Sequence, residues 1–282
     1  MSYSMNKFYE CIGISKQAVI QYHNRQKLFD QNITQLIVEA DLLRKAHPGC
    51  GVEKMYDTLR PSFIGRDRFV DTFMDLGYRI KKQKNYRRTT FAGSIYYNNL
   101  IKGLEVYKPS TIWQSDITYI RIQDRFYYAV LIIDVYTKNI VGYCLSNHMR
   151  ATANIKALKM ALKKHKAPLI HHSDRGSQYT SKDYISLLKA NGTKISMGLT
   201  AQDNAYAERI NRTIKEEFID PWKPKDFKEL RKSVKKAVVY YNTKRPHRNL
   251  NKMSPINFEK YWSTLDKKNK PIITIFDNEL LT

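Results

Sequence analysis

Apolar positions in the first 45 residues recur with a period near 3.6: Phe8 and Ile12, then Ala18, Val19 and Tyr22, then Ile33, Leu36, Ile37, Ala40 and Leu43. That spacing places them on one helical face, so residues 1–45 are expected to be helical. Gly13 interrupts the run, and Ser15 can accept from the N–H groups that open the next helix. A helix, a glycine turn and a capped second helix form a helix-turn-helix-like segment. His47-Pro48-Gly49-Cys50-Gly51 then breaks the pattern. Two shorter helices are expected beyond it, around 52–60 and 65–76, with Gly77 as a C-terminal cap.

From Thr111 the periodicity shortens. Residues 111–122, 125–136 and 138–145 are rich in β-branched and aromatic side chains and are separated near Gln123-Asp124 and Thr137-Lys138-Asn139. This predicts a three-strand meander. An amphipathic helix over 151–164 follows, then a short strand over 167–173. A helix over 181–190, with Thr180 and Asp183 as a capping box, precedes a strand over 194–197. Helices over 204–218 and 225–242 close the series. The order of strands and helices is that of an α/β domain. There is no internal repeat and no low-complexity tract.

Charge narrows the function. The 282 residues carry 49 Lys and Arg against 26 Asp and Glu, a formal charge of +23. Such an imbalance repels itself and calls for a polyanionic partner, nucleic acid before an acidic membrane surface. No apolar run approaches the roughly 18 residues of a membrane span, and the first residues hold no stretch of signal-peptide length. Cys11, Cys50 and Cys144 are far apart with no CxxC, so neither a disulfide framework nor a cysteine zinc site is expected. The cationic residues cluster. Residues 78–90 hold Arg79, Lys81, Lys82, Lys84, Arg87 and Arg88, with Tyr78 and Tyr86 among them and no acid. This reads as a basic arm laid along phosphates. Residues 221–252 hold eleven Lys or Arg, Lys244 and Arg245 among them, against two acids, Asp226 and Glu229.

Three acids stand at telling places. Asp116 lies inside the first long strand, Asp174 directly after the fourth, and Glu208 near the start of a later helix. If the first and fourth strands are neighbours, Asp116 and Asp174 meet at the sheet edge and a helix across it adds Glu208. Phosphodiester cleavage needs an activated nucleophile and a stabilised leaving oxygen, which two magnesium ions about 3.5–4 Å apart supply. Magnesium takes carboxylate and phosphate oxygens. The bland readings are a turn-forming Asp174 before Arg175-Gly176, and a Glu208 paired with Arg212. Asp203, Glu216 and Glu217 are rivals for the role of Glu208. Arg212 and Lys215, four and seven residues after Glu208, share its helical face and are candidate DNA contacts, with Asn211 beside them. Asp134 is a turn cap or a supporting group. His171 and His172 are packing residues, and Ser177 and Gln178 are candidate hydrogen-bonding supports.

These segments resemble the OrfB transposases of the IS-three family of bacterial insertion sequences. The resemblance runs from about residue 40 to 262. It rests on Trp113-Gln114-Ser115-Asp116-Ile117-Thr118-Tyr119, His172-Ser173-Asp174-Arg175-Gly176-Ser177-Gln178-Tyr179, Asp203-Asn204-Ala205 with Glu208, Lys215 with Glu217, Tyr241-Asn242-Thr243-Lys244-Arg245-Pro246-His247, and Ser254-Pro255. It implies a retroviral-integrase-like, RNase H-like fold: a mixed five-stranded sheet flanked by helices. It also implies a DDE mechanism in which Asp116, Asp174 and Glu208 hold two Mg2+ ions, with Mn2+ as a substitute. Water would be the first nucleophile and the freed 3′-hydroxyl the second. The implied partners are double-stranded DNA (element ends and target), further copies of the chain, and the product of an upstream open reading frame. The implied location is the bacterial cytoplasm, at the nucleoid. Residues 175–207 separate Asp174 from Glu208, a slightly shorter interval than the family usually has, and the difference falls in the 198–202 loop. The expected domains are a helix-turn-helix-like segment (1–45), a second helical DNA-binding or adaptor module with the basic arm (46–90), a linker (91–110), the catalytic core (111–262) and a tail (263–282). Two other functions suit the same composition: a non-catalytic DNA-binding regulator and a structure-selective nuclease.

Overall fold

A computed structural model of the chain describes residues 5–80 and 96–275. The chain forms two compact units, residues 1–80 and 81–282.

The first unit is helical. Helix α1 (Met5–Cys11) turns at Gly13, whose φ of +67° suits glycine, into α2 (Lys16–Ala46). Ser15 caps α2 by accepting from the Ala18 N–H at 3.1 Å. Helices α3 (Val52–Leu59) and α4 (Arg66–Asp75) pack on each other, with the Tyr56 ring edge-on to Phe69 at 5.4 Å. Of the predicted α2 stripe only Leu36, Ala40 and Leu43 are buried. The N-terminal half of α2 leaves Ile20 and Leu28 exposed. Helix α4 closes as predicted at Gly77, where the Tyr78 N–H reaches the Phe73 carbonyl at 3.0 Å.

The second unit contains β1 (Glu105–Val106), β2 (Ile112–Ile122), β3 (Arg125–Asp134), β4 (Ile140–Ser146), α5 (Ala151–Lys164), β5 (Ile170–Ser173), α6 (Lys182–Ala190) and β6 (Lys194–Met197). After a 3-10 turn come α7 (Ala205–Ile214), a π turn (Lys215–Ile219), α8 (Asp220–Trp222), α9 (Phe227–Thr243), α10 (Pro255–Thr264) and β7 (Ile273–Thr274). The main sheet has the order β4-β3-β2-β5-β6; β3 runs antiparallel to its neighbours, and β2, β5 and β6 are parallel. This is the mixed five-stranded, RNase H-like sheet expected from the sequence, with β2 and β5 adjacent. Trp113, Val130, Ile132 and Val141 pack on Ala157, Leu158 and Ala161 of α5 and on Tyr184 and Leu188 of α6. Gly142 lets α5 approach, since a Cβ there would lie 2.3 Å from the Ala157 carbonyl oxygen.

Three details differ from expectation. The Thr180–Asp183 capping box does not form: Ser181 is the N-cap of α6, and the Thr180 hydroxyl donates to the Ser177 carbonyl. A capping box forms instead between Thr200 and Asp203, ahead of α7. Strands β1 and β7 pair in a small second sheet, each too short for a periodic signal. Helix α10, capped by Ser254 with Pro255 in its first turn, has a start signal in the sequence. Among the described residues no helix is long and apolar enough to cross a membrane.

Candidate active site

The last rung between the parallel strands β2 and β5 pairs Ser115 with Ser173. Asp116 and Asp174 are the next residues on each strand, so the two carboxylates emerge side by side. The Asp174 Oδ1 accepts from the Gly176 N–H at 3.0 Å, so this acid also shapes its own turn. A side chain at Gly176 would crowd it, because a Cβ would stand 3.0 Å from Oδ1.

Helix α7 brings the third acid. It lies on the sheet face opposite Trp113, where Gln114 binds both ends of its first turn. The Gln114 Nε2 donates to the Asp203 carbonyl and its Oε1 accepts from the Ala207 N–H, each at 3.3 Å. The Asn204 amide donates to the Ser115 carbonyl at 2.9 Å. Glu208 follows directly. Asn211, three residues on and on the same face, donates to the Asp116 Oδ2 at 2.9 Å. The Ile117 N–H holds the other Asp116 oxygen at 2.9 Å.

Burial pushes the Asp116 carboxyl up to about 7, and the nearby charges of Asp174 and Glu208 add to that rise. The hydrogen bonds from Asn211 and Ile117 oppose it. The buried Tyr179 phenol, which meets the Ser115 hydroxyl at 3.0 Å, is raised well above its ordinary value by burial and then by Asp174 and Asp116. Among the described residues no three His, Cys, Asp or Glu stand close enough to hold an ion in this conformation. Carboxylate repulsion works against such convergence. The chemistry of the donors nevertheless suits a hard divalent cation: oxygen donors in a partly buried place, with no lysine or arginine among the described residues bridging Asp116 to its neighbours.

Two of the three rival acids are engaged elsewhere, and the third is exposed. The Asp203 Oδ2 accepts from the Leu199 and Thr200 N–H groups at 2.8 Å and closes the shortened loop. Glu217 is clamped by Arg245, and Glu216 is exposed. Asp134 caps the β3–β4 turn, accepting from Tyr136, Thr137 and Ser110. His171 meets the Tyr184 hydroxyl and His172 the Ser196 hydroxyl, both buried. The Gln178 amide donates to the Met149 carbonyl.

Of the candidate DNA contacts, Arg212 and Lys244 are exposed and Lys215 is half-buried. No hydrogen bond or ion pair joins Glu208 to Arg212 among the described residues. Arg245 departs from expectation. It is 8% exposed, and its Nε and Nη2 grip both Glu217 oxygens at 2.7 and 2.8 Å. This places its guanidinium in an internal strut rather than at the surface. Lys81, Lys82, Arg87 and Arg88 lie outside the described residues.

Two models of the integrase core domain match the chain, over residues 106–202 and 192–255. The uncharacterized 31 kDa protein of insertion element IS600 from Shigella sonnei is 34% identical over 207 residues, which is 70% of this chain and 76% of that one. The transposase of insertion sequence element IS904 from Lactococcus lactis is 36% identical over 188 residues, 64% of this chain and 73% of that one. Among solved structures, the HTLV-2 integrase catalytic core domain in complex with magnesium matches with 19% identity and a TM-score of 0.45, covering 57% of this chain and 99% of that one.

Proposed function

From the premise that the chain belongs to the integrase-core transposases of insertion sequences, we propose that Asp116, Asp174 and Glu208 are the acids of its DDE site. The observation that carries this reading is the placement of Asp116 and Asp174 on adjacent parallel strands, one residue past their last shared rung, with α7 pinned across them. In this reading the three carboxylates hold two divalent cations, Mg2+ or Mn2+ in its place. The cations supply an activated nucleophile and stabilise the leaving oxygen.

The chain's own part is arrangement. Asn211 and the Ile117 N–H fix the two Asp116 oxygens, the Gly176 N–H turns Asp174, and Gln114 and Asn204 set the depth of α7. Hydrolysis at the element end frees a 3′-hydroxyl, and that hydroxyl attacks a second phosphodiester with loss of its 3′ leaving oxygen. Duplex DNA is the substrate, bridged by more than one copy of the chain, with the product of an upstream open reading frame as a further partner. Lys215 and Arg212 approach the scissile phosphate in this reading. The outer face of α9 adds Lys228, Lys232 and Lys235, which are exposed and pair with no carboxylate among the described residues. Lys232, Lys235, Lys236 and Lys244 rim a cleft of about 400 Å3 floored by Val239 and Tyr240. Like charges at i and i+4 repel along a helix, and a phosphate backbone relieves that repulsion.

The test is incubation of the protein with element-end duplexes and Mg2+ or Mn2+. Nicking followed by strand joining is expected. Binding without cleavage would replace this reading with a non-catalytic regulator, and cleavage without joining would replace it with a structure-selective nuclease.

A further inference from the structure

Lys138 occupies a costly position. It sits in the β3–β4 turn at φ +60°, a left-handed conformation that asparagine or glycine adopts more easily. Its side chain is not released to solvent, and the residue is 8% exposed. A buried ammonium ordinarily lies against a carboxylate. Among the described residues this one donates to the Val135 carbonyl alone, at 2.5 Å, and stands 3.9 Å from the centre of the Tyr206 ring. The attraction between a cation and a ring face is strongest where both are shielded from water. Burial lowers the Lys138 ammonium to about 7, with Asp134 opposing that shift and Arg209 adding to it.

The contact adds to apolar packing between the same two elements. The turn is rigid, because the Asp134 carboxylate accepts from three backbone N–H groups, those of Tyr136, Thr137 and Ser110. It is tied to the strand that carries Asp116, since Asp134 pairs with Trp113. Tyr206 is the second residue of α7 and packs against the cluster of Ile112, Val135 and Tyr136. Glu208 lies two residues further on. A neutral side chain would fill the same space at lower cost to the turn and without burying a charge. The cation adds two contacts: the Val135 carbonyl lies within the turn itself, and the Tyr206 ring lies on α7.

We propose that Lys138 is a positioning residue: its ammonium, held over the Tyr206 ring, locks the first turn of α7 onto the β3–β4 turn and so fixes where Glu208 stands. The proposal rests on the reading of Glu208 as a metal-holding acid. Gln114 fixes α7 from one strand, and Lys138 fixes it from the next turn of the sheet.

The experiment compares Lys138→Met, Lys138→Arg, Tyr206→Phe and Tyr206→Leu with the wild type. Amide hydrogen exchange over residues 205–209 is measured without metal, and Mn2+ affinity by titration. Lys138→Met and Tyr206→Leu should each speed exchange in the first turn of α7 and weaken Mn2+ binding about tenfold, the usual scale for losing a group that orients a ligand. The double variant should be no worse than either single one. Lys138→Arg and Tyr206→Phe keep the cation and the ring face and should stay close to wild type, which a loss of packing alone would not explain. Wild-type exchange and Mn2+ affinity in Lys138→Met would overturn the proposal. So would a Tyr206→Phe variant as impaired as Tyr206→Leu. Should Lys138→Met fail to fold, the Arg, Phe and Leu variants decide. Glu208→Gln is titrated alongside: Mn2+ affinity unchanged in that variant removes the Glu208 reading itself, while the exchange result still judges the contact.

Discussion

Asp116 stands where burial and two neighbouring carboxylates all favour its protonated form, with an effective value of about 7. A divalent cation needs the carboxylate, so binding near neutral pH should displace a proton. The sign follows from the direction of the shift: affinity should fall as pH drops below about 7 and level off above it. Calorimetric Mn2+ titrations at pH 6.5 in two buffers of different ionisation enthalpy measure the proton released. Heats that do not depend on the buffer would contradict this assignment, and Asp116→Asn should abolish the dependence. Asp203 provides the contrast. Its carboxylate is consumed by the Leu199 and Thr200 N–H groups, so Asp203→Asn should lower the unfolding midpoint without removing metal binding. The meeting of Asp116 and Asp174 at the sheet edge was legible in the sequence, because one lies inside a strand pattern and the other directly after one. The hydrogen bond from Asn211 was not, because it joins residues 95 apart, and no local pattern encodes such a pairing.

At the scale of elements, α7 is held by Gln114 and Asn204 at its start and by the Glu217–Arg245 pair just past its end. That pair is nearly enclosed, with side chains 14% and 9% exposed. Removing one partner strands a buried charge, so Arg245→Ala should cost about 3–5 kcal/mol in urea unfolding and leave the salt dependence of DNA binding unchanged. A reduced salt slope with intact stability would return Arg245 to the DNA. Charge counting missed this pairing because composition gives the sign of a cluster and not the partner of each member. Its acid lies 28 positions away. The α5–β4 contact is a second element-scale test. A methyl group at Gly142 would meet the Ala157 carbonyl and the Ala161 Cβ at 2.3 and 2.9 Å. Gly142→Ala should therefore destabilise the fold by about 1–3 kcal/mol, read from the same unfolding curves. The long periodic elements were legible from pattern alone, α5 to its last residue. Strands β1 and β7 were not, since two residues carry no period, and their pairing is set by the fold.

Over the whole molecule, a charge of +23 is unevenly spent. Arg245 is internal, whereas Lys228, Lys232 and Lys235 of α9 are exposed. Replacing Lys228, Lys232 and Lys235 with glutamine should flatten the plot of log affinity against log salt by up to about three units, close to 0.9 per lost phosphate contact. An unchanged slope would move the DNA to another face. The central claim concerns the three acids, and strand joining in paired variants tests it most directly. With element-end DNA and Mg2+ or Mn2+, Asp116→Asn, Asp174→Asn and Glu208→Gln should each bind the duplex as the wild type does and give no nicked or joined product, while Asp203→Asn, assayed where it is folded, retains both reactions. Joining at the wild-type rate by any one of those three variants would contradict the assignment of that acid.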